Sequence, residues 1–158
     1  MTKGNHLVTV TNARSEEQKK VMEQIVADNV CPFCIENLNK YHKNPIFRES
    51  KYWLFTNNQW PYKGVKHQIL AIYKTHIEHI KDLPEEAGGE LLRIFGEITK
   101  EKNIPGGGVA IRFGKNPTLG NYGSTVNHIH AHLIEPDLEH LEDGVFKFKF
   151  GESKDRKK

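Results

Sequence analysis

The sequence predicts an α+β domain in which an antiparallel sheet packs against helices. Strand-like stretches at residues 46–49, 52–56 and 68–72 follow one another with no helical pattern between them. One long segment, residues 84–102, carries apolar residues at helical spacing, and two more strand-like stretches come after it, at 109–113 and around His130. Alternating βαβ units would need a crossover of a dozen or more residues, usually a helix, between each pair of parallel strands, so a parallel sheet is disfavoured.

From the N-terminus, residues 15–29 read as a helix, with Ser15 and Gln18 spaced as a capping box and Val21, Met22, Ile25 and Val26 on one face. Cys31-Pro32-Phe33-Cys34 follows, and residues 36–44 read as a polar loop. The strands at 46–49, 52–56 and 68–72 lead into a turn through 73–76. In the long helix Ala87, Leu91, Ile94, Phe95 and Ile98 lie on one side; Pro84 opens it, and Gly88, Gly89 and Gly96 weaken it. Asn103 and Pro105 end it, and Gly106-Gly107-Gly108 links it to the strand at 109–113. Residues 145–150 alternate Phe146, Phe148 and Phe150 with Lys147 and Lys149, which predicts a strand with one apolar and one charged side. Such an edge calls for a partner, and a homodimer is expected.

A chain of 158 residues suits one domain with a core large enough to be stable unaided. Its net charge of +3, from 23 Lys and Arg against 20 Asp and Glu, is too balanced for obligate duplex nucleic-acid binding. A pI near 8.8 favours an anionic substrate such as a nucleotide. Part of the basic excess lies in residues 151–158, which read as a basic disordered tail. No apolar run has signal-peptide length and none approaches ~18 residues, so neither export nor membrane spanning is expected. A cytoplasmic, reducing setting follows, and there Cys31 and Cys34 are either a redox pair, two inert thiols or half of a metal site. Structural zinc is the preferred reading, because the pair follows a helix and histidines downstream can complete a tetrahedron.

The most chemical stretch is Asn127-His128-Ile129-His130-Ala131-His132-Leu133-Ile134. On a strand, His128, His130 and His132 share one face while Ile129, Ala131 and Leu133 share the other. A purely structural strand rarely sets three such imidazoles side by side, since like charges crowd and every ring nitrogen needs a partner.

CPFC, the segment Ile69-Leu70-Ala71-Ile72-Tyr73-Lys74-Thr75-His76-Ile77, the Asp82-Leu83-Pro84 helix start, and Gly123-Ser124-Thr125-Val126-Asn127 leading into the three histidines occur in the order found in the histidine triad superfamily of nucleotide hydrolases and transferases. Over residues 31–136 the chain resembles that superfamily. The resemblance implies a five-stranded antiparallel sheet packed against two helices, here with an extra N-terminal helix. The domains are then a helical extension at 1–30, a histidine triad domain at 31–150 and the tail at 151–158.

The same resemblance implies roles. His130 attacks an α-phosphate, and the nucleotidyl-histidine passes to water or another acceptor. Its ring is nucleophilic when neutral, with one nitrogen held by a backbone carbonyl. His132 hydrogen-bonds a phosphate oxygen or the leaving group. Ser124 and Thr125, with the amides of the loop at 120–125, cradle the phosphate. Asn57 stands where the ribose hydroxyls are held. Zinc-containing relatives imply the ligands Cys31, Cys34, His76 and His128, a closed structural set that anchors His128 beside the nucleophile; His79 is the alternative to His76. Trp60 is a candidate for the base pocket, whereas Trp53 and Phe55 read as core. The chain departs from the common pattern at Tyr73, His67-Gln68 and Ser124. The expected function is cleavage at the α-phosphate of a nucleoside phosphoramidate, dinucleoside polyphosphate or related compound. The alternatives are a noncatalytic nucleotide-binding module and a C-x-x-C redox protein.

Overall fold

The computed structural model describes residues 7–118 and 120–151, so all but the first residue of the expected basic tail lies outside the described residues. The elements are α1 (Glu16–Asp28), α2 (Ile35–Tyr41), β1 (Ile46–Glu49), β2 (Trp53–Asn57), β3 (Val65–Tyr73), α3 (Glu85–Glu101), β4 (Gly108–Ile111), the short strands β5 (Lys115–Asn116) and β6 (Gly120–Asn121), and β7 (His130–Pro136). The main sheet has five strands in the order β1-β2-β3-β7-β4, every pair antiparallel. The fold is α+β, as the sequence predicts.

Local chemistry explains the helix ends. Ser15 caps α1 by accepting from the Gln18 amide, and Gln18 returns its side-chain oxygen to the Arg14 amide, one residue before the cap. Asn29 ends α1 in the left-handed conformation, at φ 53°. Pro84 precedes α3, whose first turn carries Glu85 and Glu86 at the positive end of the helix dipole.

The strand period sorts the core. Trp53 and Phe55 of β2, Ile69 and Ala71 of β3, and Ala131 and Leu133 of β7 pack on one face against Ala87, Leu91, Ile94, Phe95 and Ile98 of α3. Trp53 also donates through Nε1 to the Ala87 carbonyl at 2.8 Å, so this large ring has its polar atom satisfied inside the core. The opposite face holds Leu54, Leu70 and Ile72 against Leu38 of α2, next to a second cluster of Val8, Ile25, Tyr41 and Val126. Both faces of the sheet are therefore covered, and the histidines on the α1–α2 side are buried rather than solvated.

Three expectations are corrected. Residues 36–44 are not a polar loop throughout, because α2 occupies Ile35–Tyr41; it buries only Leu38 and Tyr41, and its three apolar positions Ile35, Leu38 and Tyr41 span too short a run to read as a period. Strand β7 begins at His130, so His128 stands on the bend before it, free of ladder register. Residues 145–150 form no strand; Arg112 donates instead to the Lys149 carbonyl, and Phe148 packs inward on Tyr62 and His132. Among the described residues, no helix is long and apolar enough to cross a membrane.

The three glycines of α3 meet no neighbour where a Cβ would stand, so packing does not require them. Gly89→Ala and Gly96→Ala should each raise stability by about 0.5–1 kcal/mol through reduced backbone entropy of the unfolded chain. Urea unfolding with unchanged slope and a higher midpoint is the expected result; an unchanged or lower midpoint would show that α3 needs the flexibility.

Candidate functional site

Four side chains from three separate segments meet at one end of the sheet. Cys31 and Cys34 come from the turn between α1 and α2, His76 from the turn after β3, and His128 from the bend before β7. Their donor atoms lie within 4.8 Å of one another. His128 Nδ1 is 3.3 Å from Cys31 Sγ, 3.8 Å from Cys34 Sγ and 3.2 Å from His76 Nδ1, while Cys34 Sγ is 3.5 Å from His76 Nδ1. A tetrahedral ion bonded to sulfur at ~2.3 Å and to nitrogen at ~2.0–2.1 Å spaces its ligand atoms about 3.3–3.8 Å apart, so the cluster has the dimensions of such a site. Tautomer geometry agrees. His128 donates through Nε2 to the Tyr73 carbonyl at 2.5 Å, which leaves the Nδ1 lone pair facing the cluster. His79 stays outside, its Nδ1 accepting from the Lys81 amide and its ring against Phe113.

The thiols do not resemble a redox pair. Burial pushes Cys31 up, and burial together with the neighbouring Cys31 pushes Cys34 up to about 12, the reverse of an activated thiolate.

Beside the cluster, His130 and His132 present opposite tautomers. His130 donates through Nδ1 to the His128 carbonyl at 2.7 Å, so its Nε2 carries the lone pair. His132 accepts at Nδ1 from Gln68 Nε2 at 3.1 Å, and the amide of Gln68 is oriented by the Tyr62 N–H, which donates to Oε1 at 2.7 Å. The neutral His132 ring therefore carries its proton on Nε2. Gln68 on β3 sits diagonally across from His132 in a register that pairs Leu70 with His132 and Ile72 with His130. Phe33 of CPFC packs edge-on against His130 at 5.0 Å and His128 at 6.2 Å, joining the Cys/His cluster to the histidine pair. All three histidines are buried, and desolvation holds His128 and His130 down at about 4 and His132 well below its usual range.

His130 and His132 open into a cleft walled by α1, the segment after β2 and the loop before His128, with Trp60, Tyr62, Tyr41, His42 and Thr125 among its lining. The structure brings Thr125 and Trp60 to this cleft as expected. Asn57 is not brought there: it shares the α3 side of β2 with Trp53 and Phe55 and is exposed, and Asn58, one residue on, lines the cleft instead. Ser124 is also corrected. Its buried hydroxyl donates to the Val126 carbonyl, and its own carbonyl accepts from Asn12 and Asn121, so it tightens the loop rather than offering a donor to the cleft. Sequence reasoning missed Gln68, His42, Tyr62 and Arg14 as parts of the site. The only local signal was at Gln68, a polar residue at the head of an apolar strand.

The family model described as the C-terminal binding region of the scavenger mRNA decapping enzyme matches residues 30–146. No curated protein matches the chain. Among solved structures, the chain is similar to a hypothetical histidine triad nucleotide-binding protein from Sulfolobus tokodaii strain 7, at 19% identity and a TM-score of 0.50 over 80% of this chain and 83% of that one. It is also similar to a Zn-bound histidine triad family protein from Mycobacterium smegmatis, at 23% identity and a TM-score of 0.48 over 73% of this chain and 81% of that one. A histidine triad protein from Clostridium difficile aligns at 22% identity and a TM-score of 0.49 over 63% of this chain and 87% of that one. At 19% identity the first of these shows the fold, and chemistry must be argued from the site.

Burial of His130 predicts an acid sensitivity of definite sign. Its pKa falls from 6.5 to about 4 on folding, so the unfolded chain takes up a proton that the folded chain refuses. Stability is present above pH 6.5 and declines as pH falls toward 4, by roughly 2–3 kcal/mol from this group at pH 4.5. Urea unfolding at pH 7 and 4.5 should show the decline, reduced in His130→Asn; an equal decline in that variant would assign it to other groups.

Proposed function

Because the chain belongs to the histidine triad superfamily, through the scavenger mRNA decapping enzyme C-terminal family that it matches over residues 30–146, we propose that it is a nucleotide hydrolase or nucleotidyl transferase acting at an α-phosphate. One observation carries this reading: His130 and His132 point a lone pair and a proton into the same cleft. An imidazole held at Nδ1 by a carbonyl is a neutral nucleophile aimed by its Nε2. A neighbouring ring whose proton is on Nε2 is a donor for charge that builds on phosphate oxygen.

In the proposed reaction the Nε2 of His130 bonds to the α-phosphorus as the bond to the leaving group breaks, the electron pair going with that group. Water or another acceptor then attacks phosphorus, the electron pair of the P–N bond returns to His130, and the attacking oxygen's proton passes to solvent. His132 donates to a phosphate oxygen or to the leaving group in both steps. Thr125 completes the cleft wall next to the reacting phosphate, and Trp60 and Tyr41 offer aromatic faces to the base. His128 acts through its carbonyl, which orients His130.

Cys31, Cys34, His76 and His128 fit zinc, which when bound supplies a structural cross-link with no open coordination position. The protein should then carry about one zinc per chain. His76→Ala should lower that content and His79→Ala should leave it intact; equal loss in both, or none in either, would reject the ligand set.

The same reading includes a cytoplasmic homodimer. The free cysteines suit a reducing compartment, and the edge strand β4 exposes Val109. Light scattering at micromolar concentration should give twice the chain mass, and a monomer mass would remove this part.

The decisive experiment is rapid quench of the native protein with a dinucleoside polyphosphate and a nucleoside phosphoramidate, read by mass spectrometry. A nucleotide on His130 is the expected product. His130→Ala should abolish turnover while retaining metal and fold, and loss of the His132 donor should slow it by about 10²–10³. Near-native turnover in His130→Ala would reject the covalent route. Nucleotide binding without turnover in the native protein would favour the noncatalytic module.

A further inference from the structure

The histidine pair is closed off from solvent. His130 is 6% exposed and His132 5% exposed, and the inner cleft offers about 80 Å³, well below the roughly 300 Å³ at which small-molecule sites begin. A ligand of nucleotide size reaches these rings only if a wall moves. Three walls are braced. α1 is closed at its ends by Ser15 and Asn29 and packs through Ile25 on Tyr41 and Val126. The segment after β2 is held by Gln68, whose carbonyl accepts from the Asn58 amide and whose side chain accepts from the Tyr62 amide. The loop before His128 is tied to the N-terminal segment through Thr9 and Asn12.

Residues 145–150, which lie over the His132 side, are built differently. Among the described residues, none of their backbone groups pairs with another backbone group, and neither helix nor strand runs through them. They stand between two glycines in the left-handed region, Gly144 at φ 65° and Gly151 at φ 88°. A Cβ at either glycine would meet nothing within 4 Å, so backbone conformation rather than packing is what calls for glycine there.

Few contacts hold this segment down. Phe148 lies edge-on to Tyr62 at 5.9 Å and to His132 at 6.0 Å. Asp143 accepts from the Val145 amide and from Lys147, an exposed tie of small worth. The firm link is Arg112, which follows β4 and donates through Nε and Nη2 to the Lys149 carbonyl at 3.1 and 2.6 Å. The same guanidinium stacks on Phe148 at 3.8 Å and donates through Nη1 to the Tyr62 hydroxyl at 2.8 Å. One side chain thus clasps the segment to the sheet and to a ring that borders His132. Beneath it lies a recess of about 220 Å³ that shares Tyr62, Arg112 and Thr125 with the inner cleft.

We propose that residues 145–150 are a hinged strap, latched by Arg112, that swings about Gly144 and Gly151 to admit and release the ligand of the inner cleft and recloses over it. Opening lifts Phe148 from His132 and joins the recess to the cleft; closing shuts water out from the reacting side. The identity of the ligand as a nucleotide rests on the reading above, whereas the hinge and latch do not.

Trypsin reads the strap directly, because Lys147 and Lys149 are cleavage sites within it. In ligand-free protein, cleavage after these lysines, timed by mass spectrometry, should be about 10–100-fold faster in Arg112→Gln than in the native chain, the range for loss of a charge-assisted contact. Gly144→Ala should speed it by about 5–30-fold, since alanine is strained in the left-handed region and opening relieves that strain. Cleavage after Arg93 and Lys100 of α3 reports global unfolding and should stay unchanged. A gate also has a kinetic signature. In stopped-flow binding of adenosine monophosphate, Gly144→Ala should raise the association and dissociation rate constants by the same factor and leave their ratio unaltered, whereas damage to the site would change the ratio. Cleavage indifferent to either variant, or faster only together with cleavage in α3, would overturn the strap. Faster cleavage with unchanged association rates would overturn its role as a gate. Failure of the nucleotide reading shows separately, as no calorimetric binding of adenosine monophosphate, while the trypsin series decides hinge and latch by itself.

Discussion

The hydrogen bond from His128 Nε2 to the Tyr73 carbonyl is the constraint on which the rest of the site depends. It selects one tautomer, and that choice turns the Nδ1 lone pair toward Cys31, Cys34 and His76. The carbonyl of the same residue accepts from His130 Nδ1, so the orientation of the second histidine is inherited from the first. Tyr73 ends β3 with its ring in the α3 core, which means that the acceptor is positioned by the most deeply buried part of the molecule. A change in packing under α3 is therefore felt at the Cys31, Cys34, His76 and His128 cluster and, through the His128 carbonyl, at His130.

Burying three imidazoles is costly, and the structure meets that cost by giving buried ring nitrogens defined partners. Tyr73, His128 and Gln68 supply two carbonyls and an amide, each held in place by backbone pairing or by a further hydrogen bond. The consequence is a neutral pair with opposite donor and acceptor character, which independent titration in water would not maintain. Low dielectric also strengthens the influence of Arg112 on both rings and of Arg14 on His132.

The N-terminal segment belongs to the same construction. Val8 bridges to Val126, the Thr9 amide donates to the Thr125 carbonyl, and Asn12 bonds the Ser124 carbonyl, so these residues brace the loop that leads into His128. Ile25 of α1 then packs with Tyr41 and Val126, which ties the helix to α2 and to that loop. What reads as an extension in sequence acts as one wall of the cleft.

Much of this was legible from residue order. The period-two run through His130, Ala131, His132 and Leu133 sets the chemical and core faces, the apolar stripe of α3 declares its length, and the cysteine pair marks a candidate ligand pair; each signal is local and survives without tertiary information. The choices that needed the fold are those made through space. His76 rather than His79 joins the cysteines because the turn after β3 brings one ring to the cluster and directs the other toward Phe113. Asn57 and Asn58 are adjacent and equivalent by composition, yet the strand phase sends the first to the α3 side and leaves the second at the cleft. Ser124 lies in the expected loop, but its hydroxyl is taken by a backbone carbonyl that only the folded loop presents. Gln68 and His132, or Arg14 and Tyr62, are far apart in the chain and meet because antiparallel register and helix docking bring them together. Periodicity encodes which face a residue takes, while its partner on that face is set by strand register and loop closure, which are properties of the whole chain.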